Sequence, residues 1–326
     1  MLSTHKAEVV SVKLENHPNA DSLSIVRFDG FNVCVRTEDW IGIEKAVHIQ
    51  PESLVDTTRP EFAFLADGKK DKMRVKPKRL RGIFSYGFLI PAPEDAKIGE
   101  DYSERLGIEH YEPPIKLTTQ TDNVSAPPGI FTKYDIDNLR KYNRVFKEGE
   151  LVFISEKING MNMRVVYSSE KEQIYVGSRN LWKKEDERCA WWQAYKKYPQ
   201  IKQFCKDHPN LVLYGEAYGN VGNMKYGKDN IDFAAFDIRR QDMSWINAEE
   251  FYSICIRYYI PYAPIIAFNI PFSFEEIEEF ADGPSLIEGA NHYREGVVIR
   301  PQKERHDDTI NRVILKMVGE TYLLKT

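Results

Sequence analysis

A lysine at the end of an apolar strand is the residue of this chain best placed to act as a nucleophile. Lys157 stands in Glu156-Lys157-Ile158-Asn159-Gly160, directly after the apolar run LVFIS. Its ammonium should therefore emerge at a strand end, where Gly160 lets backbone approach a ligand closely. Taken alone, the same pattern is also typical of a surface lysine before a turn.

Five further polar motifs follow Lys157, each on or beside a predicted strand. They are Ser178-Arg179-Asn180, Tyr214-Gly215-Glu216, Phe236-Asp237, Glu295-Gly296 and Leu315-Lys316. The ordered series resembles the motifs of the covalent nucleotidyltransferase superfamily, which contains RNA ligases, DNA ligases and mRNA-capping enzymes, and it covers residues 133–326. The resemblance is closest to ATP-dependent RNA ligases, because Asn162 continues the first motif and the chain ends soon after Lys316.

The resemblance implies covalent catalysis. Lys157 would take up AMP from ATP, and Glu295 and Lys316 would be the other catalytic residues. An attacking amine must be neutral, so we expect positive charge from Lys316, Arg179 and a divalent metal ion to depress the pKa of Lys157. The metal and fixed cations would stabilise the negative charge that builds on the phosphate oxygens.

The same resemblance implies which residues hold the nucleotide and the metal. Glu216 falls at the family's ribose-binding glutamate and Phe236 at its adenine-stacking position, while Arg179 offers a forked donor for phosphate or ribose. The predicted cofactor-binding set is Glu156, Asn159, Asn162, Arg179, Glu216, Phe236 and Lys316. The predicted ligands of Mg²⁺ or Mn²⁺ are Glu295, Glu216 and Asn159.

Two positions depart from the family pattern. Many relatives carry aspartate where this chain has Asn159, so a neutral amide replaces a charged group of the metal shell. Many also carry a second lysine where this chain has Val318, and either Arg164 or Lys325 could substitute for it.

The N-terminal third predicts an all-β barrel that binds nucleic acid. Short strands such as KAEVVSVKLE and KAVHIQ alternate with Asp, Gly and Asn turns. His17–Leu23 and Arg81–Gly87 resemble motifs of OB-fold tRNA-binding domains. The predicted nucleic-acid-binding residues are Lys76, Lys78, Arg79 and Arg81, beside Phe84 and Tyr86 as exposed aromatics. A solvated basic loop on a barrel used only for packing is the alternative.

The elements predict an α+β protein of two domains. We expect an OB-like barrel over residues 1–110 and, because of two proline pairs in a polar stretch, a linker over 111–132. Residues 133–326 would form a nucleotidyltransferase (ATP-grasp-like ligase) domain of antiparallel sheets flanked by helices. The predicted helices are 185–206, 248–259 after an N-cap at Asn247, and 274–282 after Ser273.

Composition narrows the setting and the partner. The net charge of −4 gives no overall attraction to nucleic acid, so such binding must come from local basic patches. Four dispersed cysteines without a CxxC pair indicate neither a zinc ribbon nor a disulfide framework. With no apolar signal region or membrane-length run, we expect a cytoplasmic protein. The resemblance implies RNA with 3′-OH and 5′-phosphate ends as the partner.

Two other functions fit parts of the pattern. One is a non-catalytic RNA-binding protein with a degenerate ligase domain, which the presence of Lys157, Glu216, Glu295 and Lys316 opposes. The other is a DNA ligase or a GTP-using capping enzyme. Those enzymes usually carry a further C-terminal OB domain, which disfavours both.

Overall fold

The computed structural model of the chain describes residues 5–111, 121–128, 134–221 and 224–325. The chain divides into two units. The first contains Met1–Pro114, Leu139–Asn143 and Leu323–Thr326, and the second contains Ile115–Asn138 and Arg144–Tyr322. Among the described residues, no helix has both the length and the apolar character needed to cross a membrane.

The first unit is built almost entirely from short strands. They are β1 (Glu8–Ser11), β2 (Leu14–Asn16), β3 (Leu23–Phe28), β4 (Phe31–Arg36), β5 (Lys45–Ile49), β6 (Ser53–Asp56), β7 (Lys72–Arg74), β8 (Lys78–Leu80), β9 (Ile83–Ser85), β10 (Phe88–Pro91) and β11 (Glu109–His110). They form sheets in the orders β1-β5-β10, β2-β3-β4, β11-β6-β7 and β8-β9. Two 3₁₀ turns, Thr37–Trp40 and Pro60–Leu65, and the short helix α1 (Ser103–Leu106) complete it.

Alternating apolar residues give this unit its core. In β4, Phe31, Val33 and Val35 are buried while the residues between them are more exposed, as expected for a strand with one face against a core. Gly87 has a φ of 82°, and a Cβ there would overlap the carbonyl oxygen of Ile49, so only glycine fits. The predicted all-β N-terminal domain is confirmed.

The second unit contains two larger sheets. Its strands are β12 (Asn123–Val124), β13 (Asp137–Asn138), β14 (Leu151–Lys157), β15 (Met161–Ser168), β16 (Gln173–Ser178), β17 (Trp182–Lys183), β18 (Val212–Gly219), β19 (Ile231–Arg239), β20 (Ile265–Pro271), β21 (Gly296–Pro301), β22 (His306–Asp307), β23 (Asn311–Arg312) and β24 (Leu315–Val318). Six strands pair in the order β12-β17-β16-β15-β18-β19, and five in the order β13-β24-β21-β14-β20. The pairing is antiparallel except between β13 and β24.

Helices cover one face of the six-stranded sheet. They are α2 (Ala190–Lys197), α3 (Pro199–Asp207) and α4 (Ala248–Tyr258), with α5 (Phe274–Ala281) and α6 (Glu320–Lys325) later in the chain. Met163, Val165 and Leu213 pack into one buried cluster with Trp191 and Phe204 from α2 and α3. On the other face, Val166 and Tyr214 share a cluster with Ile314 and the partly buried Val298. The predicted α+β class is confirmed.

Three helix predictions need comment. The stretch 185–206 forms two helices, because α2 ends before Tyr198 and α3 begins at Pro199. At the first position of a helix, the N–H that proline lacks would have no partner in the helix. Ser273 caps α5 by accepting a hydrogen bond from the Glu276 amide at 3.3 Å, as expected. Asn247 precedes α4 without a side-chain cap, since its Oδ1 accepts a hydrogen bond from the Glu304 amide instead.

The stretch 111–132, which the sequence predicts to be a linker, contains one short strand. Residues 112–120 and 129–132 of that stretch lie outside the described residues. Within it, Asn123 and Val124 pair with Lys183 and Trp182, so β12 is an edge strand of the six-stranded sheet. In the division into two units, Ile115–Asn138 belongs to the second unit and Leu139–Asn143 to the first. The predicted bounds of the two domains stay a prediction.

Candidate active site

Lys157 and Glu295 form the centre of the candidate active site. Lys157 is the last residue of β14 and pairs with Gly296, the residue after Glu295. Its Nζ donates a hydrogen bond to Glu295 Oε1 at 2.7 Å, and the two side chains are 21% and 12% exposed. A strand end thus delivers an amine to a carboxylate in a place that a ligand can still reach.

Strand pairing brings Lys316 to the same side. Ser155 of β14 pairs with Val298 of β21, which pairs with Lys316 of β24. Paired residues share a face, and so do residues two apart in a strand, so Lys157 and Lys316 lie on one face of the five-stranded sheet. Burial lowers the pKa of Lys316, and the neighbouring charges of Lys157 and Arg179 lower it further.

Glu216 is brought to this centre by the other sheet. It lies in β18 opposite Asn162 of β15, and the Gly160 amide donates a hydrogen bond to it. Burial raises the pKa of Glu216 to about 8, with Glu295 adding to the effect and Lys157 opposing it. A Cβ on Gly160 would overlap the Ala217 carbonyl oxygen and lie 3.0 Å from the Glu216 Cγ. The glycine therefore lets the nucleophile's strand approach β18 closely.

The pKa of Lys157 differs from the expectation. Burial lowers it, but the Glu295 and Glu216 carboxylates outweigh burial and raise the pKa above that of an ordinary lysine. The expected depression of the pKa is therefore wrong for the protein by itself, because the nearest charges are negative. Lys316 is the amine of this site whose pKa is lowered.

The donor set fits a hard divalent cation. Glu295 Oε2 and Asn162 Oδ1 are buried and accept no hydrogen bond from the described residues. Within the same part of the chain, no group of three His, Cys, Asp or Glu side chains is arranged to hold a metal. Mg²⁺ usually binds through one or two carboxylates and completes its shell with water and phosphate oxygens. The carboxylates of Glu295 and Glu216 and the amide oxygen of Asn162 therefore suit it.

Asn159 is held by two tyrosines that the sequence reasoning did not single out. Its backbone amide donates a hydrogen bond to the Tyr226 hydroxyl at 2.7 Å, and its Nδ2 donates to the Tyr322 hydroxyl at 3.0 Å. Tyr226 is fully buried, and Glu295, Glu156 and Glu216 all contribute to raising its pKa, after burial. Neither tyrosine lies in a recognisable motif, so only the contacts identify them.

The remaining predicted cofactor residues have varied surroundings. Arg179 forms an ion pair with Asp135 and stays partly exposed. Phe236 is half-buried in β19, with its ring 4.8 Å from that of Tyr134. Glu156 is buried, and its carboxylate accepts hydrogen bonds from Ser285 and Leu286. That carboxylate is thus already engaged within the protein.

The structure also shows the surroundings of Val318, one of the two departures from the family pattern, and of Arg164 and Lys325. Val318 pairs with Gly296 next to the Lys157 position, so an apolar side chain stands in the β24 position two residues after Lys316. Arg164 is buried over the Trp182 ring at 4.1 Å, and burial lowers its pKa. Lys325 is exposed at the end of α6.

In the first unit, the predicted basic residues lie on and before one hairpin. The four side chains are all exposed: Lys76 precedes β8, Lys78 and Arg79 lie in β8, and Arg81 lies in the turn between β8 and β9. The turn is held by the other predicted motif, because His17 Nε2 donates to the Leu80 carbonyl at 3.1 Å and Asn19 Nδ2 donates to the Arg81 carbonyl at 3.0 Å.

The expected exposed aromatics of this surface are wrong. Phe84 and Tyr86 are only 4% and 2% exposed and belong to the core of the first unit. The alternation of β9 and the residue after it turns them inward, where Phe31 packs against them. The predicted nucleic-acid-binding surface therefore contains the basic side chains but not the rings of Phe84 and Tyr86.

Comparisons with known proteins fit this geometry. The model of the RNA ligase family matches residues 150–318, which is 169 of the 326 residues. The chain belongs to the RNA ligase family. A model of an OB-fold domain matches residues 7–92, so the predicted order of barrel and ligase domain is confirmed. No curated protein sequence matches the chain.

Solved structures of one RNA ligase share the fold over nearly all of the chain. Naegleria gruberi RNA ligase with PPi is 23% identical and superposes with a TM-score of 0.83 over 99% of both chains. An alanine variant of that enzyme with ATP and Mn is 22% identical, covers 98% of both chains and has a TM-score of 0.82. Another variant with AMP and Mn is 23% identical, with a TM-score of 0.83 over 99% of both chains.

Family membership makes the candidate centre more specific. Lys157, Glu216, Glu295 and Lys316 all lie within the matched residues, and the structure of this RNA ligase family member brings them together. Their individual roles, like those of Glu156, Asn159, Asn162, Arg179 and Phe236, remain predictions.

Proposed function

We propose that this protein is an ATP-dependent RNA ligase that joins RNA 3′-OH and 5′-phosphate ends through a lysyl-AMP on Lys157. The observation that carries the proposal is the 2.7 Å contact between Lys157 and Glu295 inside a domain of the RNA ligase family. The solved structures of the Naegleria gruberi enzyme with ATP, AMP, PPi and Mn support the choice of nucleotide and metal.

The first step forms a bond between Lys157 Nζ and the α-phosphorus of ATP. The bond from that phosphorus to the bridging oxygen breaks, and pyrophosphate leaves with the electron pair. Nζ must first lose a proton, and the hydrogen bond from Nζ to Glu295 places that carboxylate to accept it. Lys316, on the same face of the sheet, is placed to stabilise charge on the phosphate oxygens.

Glu295, Glu216, Asn159 and Asn162 are the residues that we propose hold Mg²⁺ or Mn²⁺. A divalent ion there would neutralise the carboxylates that raise the pKa of Lys157 and would draw negative charge from the phosphates. We assign Glu216 to the ribose hydroxyls, Phe236 to the adenine face and Arg179 to phosphate or ribose.

Two further steps complete the ligation. An oxygen of the RNA 5′-phosphate attacks the phosphorus of lysyl-AMP, the P–N bond breaks, and Lys157 regains a proton. The RNA 3′-OH then loses its proton to solvent, its oxygen attacks the activated 5′-phosphorus, and AMP leaves as a new phosphodiester forms. The exposed cations Lys76, Lys78, Arg79 and Arg81 are proposed to hold the RNA backbone.

Covalent labelling tests the first step. Purified protein is treated with pyrophosphate and magnesium to remove any bound AMP, desalted, and incubated with α-labelled ATP and Mg²⁺ or Mn²⁺. We expect label on the wild type and on Lys202→Ala, an exposed lysine of α3, and none on Lys157→Ala. Absence of label on the wild type would refute the enzyme and favour a non-catalytic RNA-binding protein.

Substrate comparison separates this proposal from a DNA ligase or a capping enzyme. ATP is compared with GTP in the labelling reaction. Sealing is then compared for RNA and DNA strands with 3′-OH and 5′-phosphate ends, and for RNA with the phosphate on the 3′ side. The proposal expects ATP, RNA and the 5′-phosphate to be preferred, and labelling by GTP alone would contradict it.

We also propose a cytoplasmic location. Cys34, Cys189, Cys205 and Cys255 are free thiols, and three of them are buried, which suits a reducing compartment. Fractionation of cells that express the protein, followed by immunodetection, tests this location.

A further inference from the structure

Two buried charged residues directly precede the paired catalytic residues. Glu156 comes before Lys157 and is 2% exposed, and Arg294 comes before Glu295 and is 6% exposed. In β14 successive side chains point to opposite faces of the sheet, so Glu156 points away from the side on which Lys157 lies. A buried carboxylate and a buried guanidinium each require polar partners to offset the loss of water.

Both side chains find those partners in one segment, residues 280–286, which contains the end of α5 and the loop after it and which we name the clamp loop. Ser285 Oγ and the Leu286 amide donate hydrogen bonds to the Glu156 carboxylate at 2.6 and 2.7 Å. Arg294 donates to the Pro284 carbonyl at 2.7 and 3.2 Å and to the Phe280 carbonyl at 2.9 Å. The clamp loop therefore ties the end of β14 to the start of β21.

Charge and close packing reinforce this arrangement. Burial raises the pKa of Glu156, and its two hydrogen bonds and Arg294 counteract that rise. Burial lowers the pKa of Arg294, and Glu156 counteracts it. A Cβ on Gly283 would lie 2.9 Å from Arg294 Nη2, so the clamp loop approaches the guanidinium as closely as a glycine allows.

We propose that Glu156 and Arg294 are positioning residues that, through the clamp loop, hold Lys157 and Glu295 in register for nucleotidyl transfer. Each is covalently adjacent to one member of the 2.7 Å pair, so a shift of the clamp loop moves the amine relative to the carboxylate. The inference rests on the proposed function, and it gives Glu156 a role in geometry in place of contact with the nucleotide.

Single-turnover labelling of AMP-free protein over a range of ATP concentrations tests the clamp. The variants are Glu156→Gln, which keeps the shape but removes the charge, and Arg294→Lys, which cannot bridge two carbonyls with a planar fork. The matched controls are Glu279→Gln on α5 and Arg257→Lys on α4, both exposed. We expect the maximal rate constant to fall roughly 10- to 100-fold in each clamp variant, with half-saturating ATP nearly unchanged.

The double variant gives a second measure. Because the two residues act through one loop, Glu156→Gln combined with Arg294→Lys should be little slower than the slower single variant. Where Glu156→Gln does not yield folded protein, Ser285→Ala removes one of its hydrogen bonds and leaves both charges, and a several-fold lower maximal rate is expected.

Three results would overturn the clamp. One is a wild-type maximal rate in variants with a lower Tm, which makes the residues structural only. Another is a higher half-saturating ATP at an unchanged maximal rate for Glu156→Gln, which makes Glu156 a nucleotide contact. The third is full additivity of the two rate losses. Failure of the wild type to label overturns the proposed function itself and the clamp with it. If the wild type is labelled, the rates of the variants test the clamp alone.

Discussion

At the scale of single residues, the electrostatics of the site centre on two carboxylates and two amines. Glu295 and Glu216 raise the pKa of Lys157, and Lys157 in turn lowers the pKa of Lys316. The protein by itself thus stores Lys157 as a charged ammonium paired with Glu295. Attack on ATP requires a neutral amine, so the ion pair between Lys157 and Glu295 must first be weakened. We therefore expect the labelling rate to depend strongly on a divalent cation.

The raised pKa of Glu216 predicts a pH-dependent stability. Its pKa is about 8 in the folded protein and about 4.5 in an exposed glutamate, so between these values the folded state holds a proton that the unfolded state has lost. This contribution to the free energy of unfolding should decrease as pH rises from about 4.5 to about 8. Urea unfolding with a chelator present, for the wild type and Glu216→Gln, measures it. A difference between the two proteins that does not vary with pH would contradict it.

Asn159 predicts a specific metal response. Asn159→Asp adds a negative charge to the proposed metal shell, and the Tyr322 hydroxyl can then donate the hydrogen bond that it now accepts. We expect the Mn²⁺ concentration for half-maximal labelling to fall several-fold, and Mn²⁺ binding measured by calorimetry to tighten. Asn269→Asp on the exposed part of β20 is the control. An unchanged Mn²⁺ requirement would exclude Asn159 from the shell.

At the scale of elements, the site is an intersection of two sheets. In the five-stranded sheet, β14 and β24 supply Lys157 and Lys316, with β21 between them. In the six-stranded sheet, β15 and β18 supply Asn162 and Glu216. The turn at residues 158–160 joins the two, and its tightness follows from the Gly160 contact with Ala217.

Gly160→Ala should therefore act on both sheets at once. The added Cβ would overlap the Ala217 carbonyl oxygen, so β18 and Glu216 must shift. Overpacking of this kind typically costs about 1–3 kcal/mol of stability, and displacement of catalytic groups by about 1 Å can cost roughly 100-fold in rate. Thermal unfolding and single-turnover labelling measure the two effects. Normal labelling would mean that the turn can open without moving the site.

At the scale of the whole molecule, a local cluster of positive charge differs in sign from the net charge. The net charge is −4, yet Lys76, Lys78, Arg79 and Arg81 are all exposed around one hairpin of the barrel. Local positive charge of this kind can bind a phosphate backbone even when the overall field is weakly repulsive.

The hairpin predicts a sequence-independent, salt-sensitive contribution to RNA binding. Lys78→Ala combined with Arg79→Ala should weaken binding to unrelated RNA sequences alike, and should reduce the slope of log affinity against log salt by about 1 for each cation that no longer binds a phosphate. Filter binding over a range of salt concentrations gives both values. Lys97→Ala, exposed elsewhere on the first unit, is the control, and an equal loss of affinity in that variant would remove any special role of the hairpin.

Local pattern predicted much of the fold. The apolar run LVFIS forms most of β14 as predicted, because a short run of β-branched and aromatic residues is a local property of the chain. The strand 265–271 was not predicted; none of its seven residues is fully buried, and it pairs irregularly with β14.

The sequence by itself determined the order of domains, the nucleophile candidate Lys157 and the motifs that surround it, since each of these depends on residues close together in the chain. Tertiary structure decided that Lys157 faces carboxylates rather than cations, that Phe84 and Tyr86 turn inward, and that Glu156 binds Ser285. The physical reason is that burial, pKa and hydrogen-bond partners depend on which distant segments meet. Glu156 and Ser285 are separated by 129 positions, and no local pattern encodes their contact.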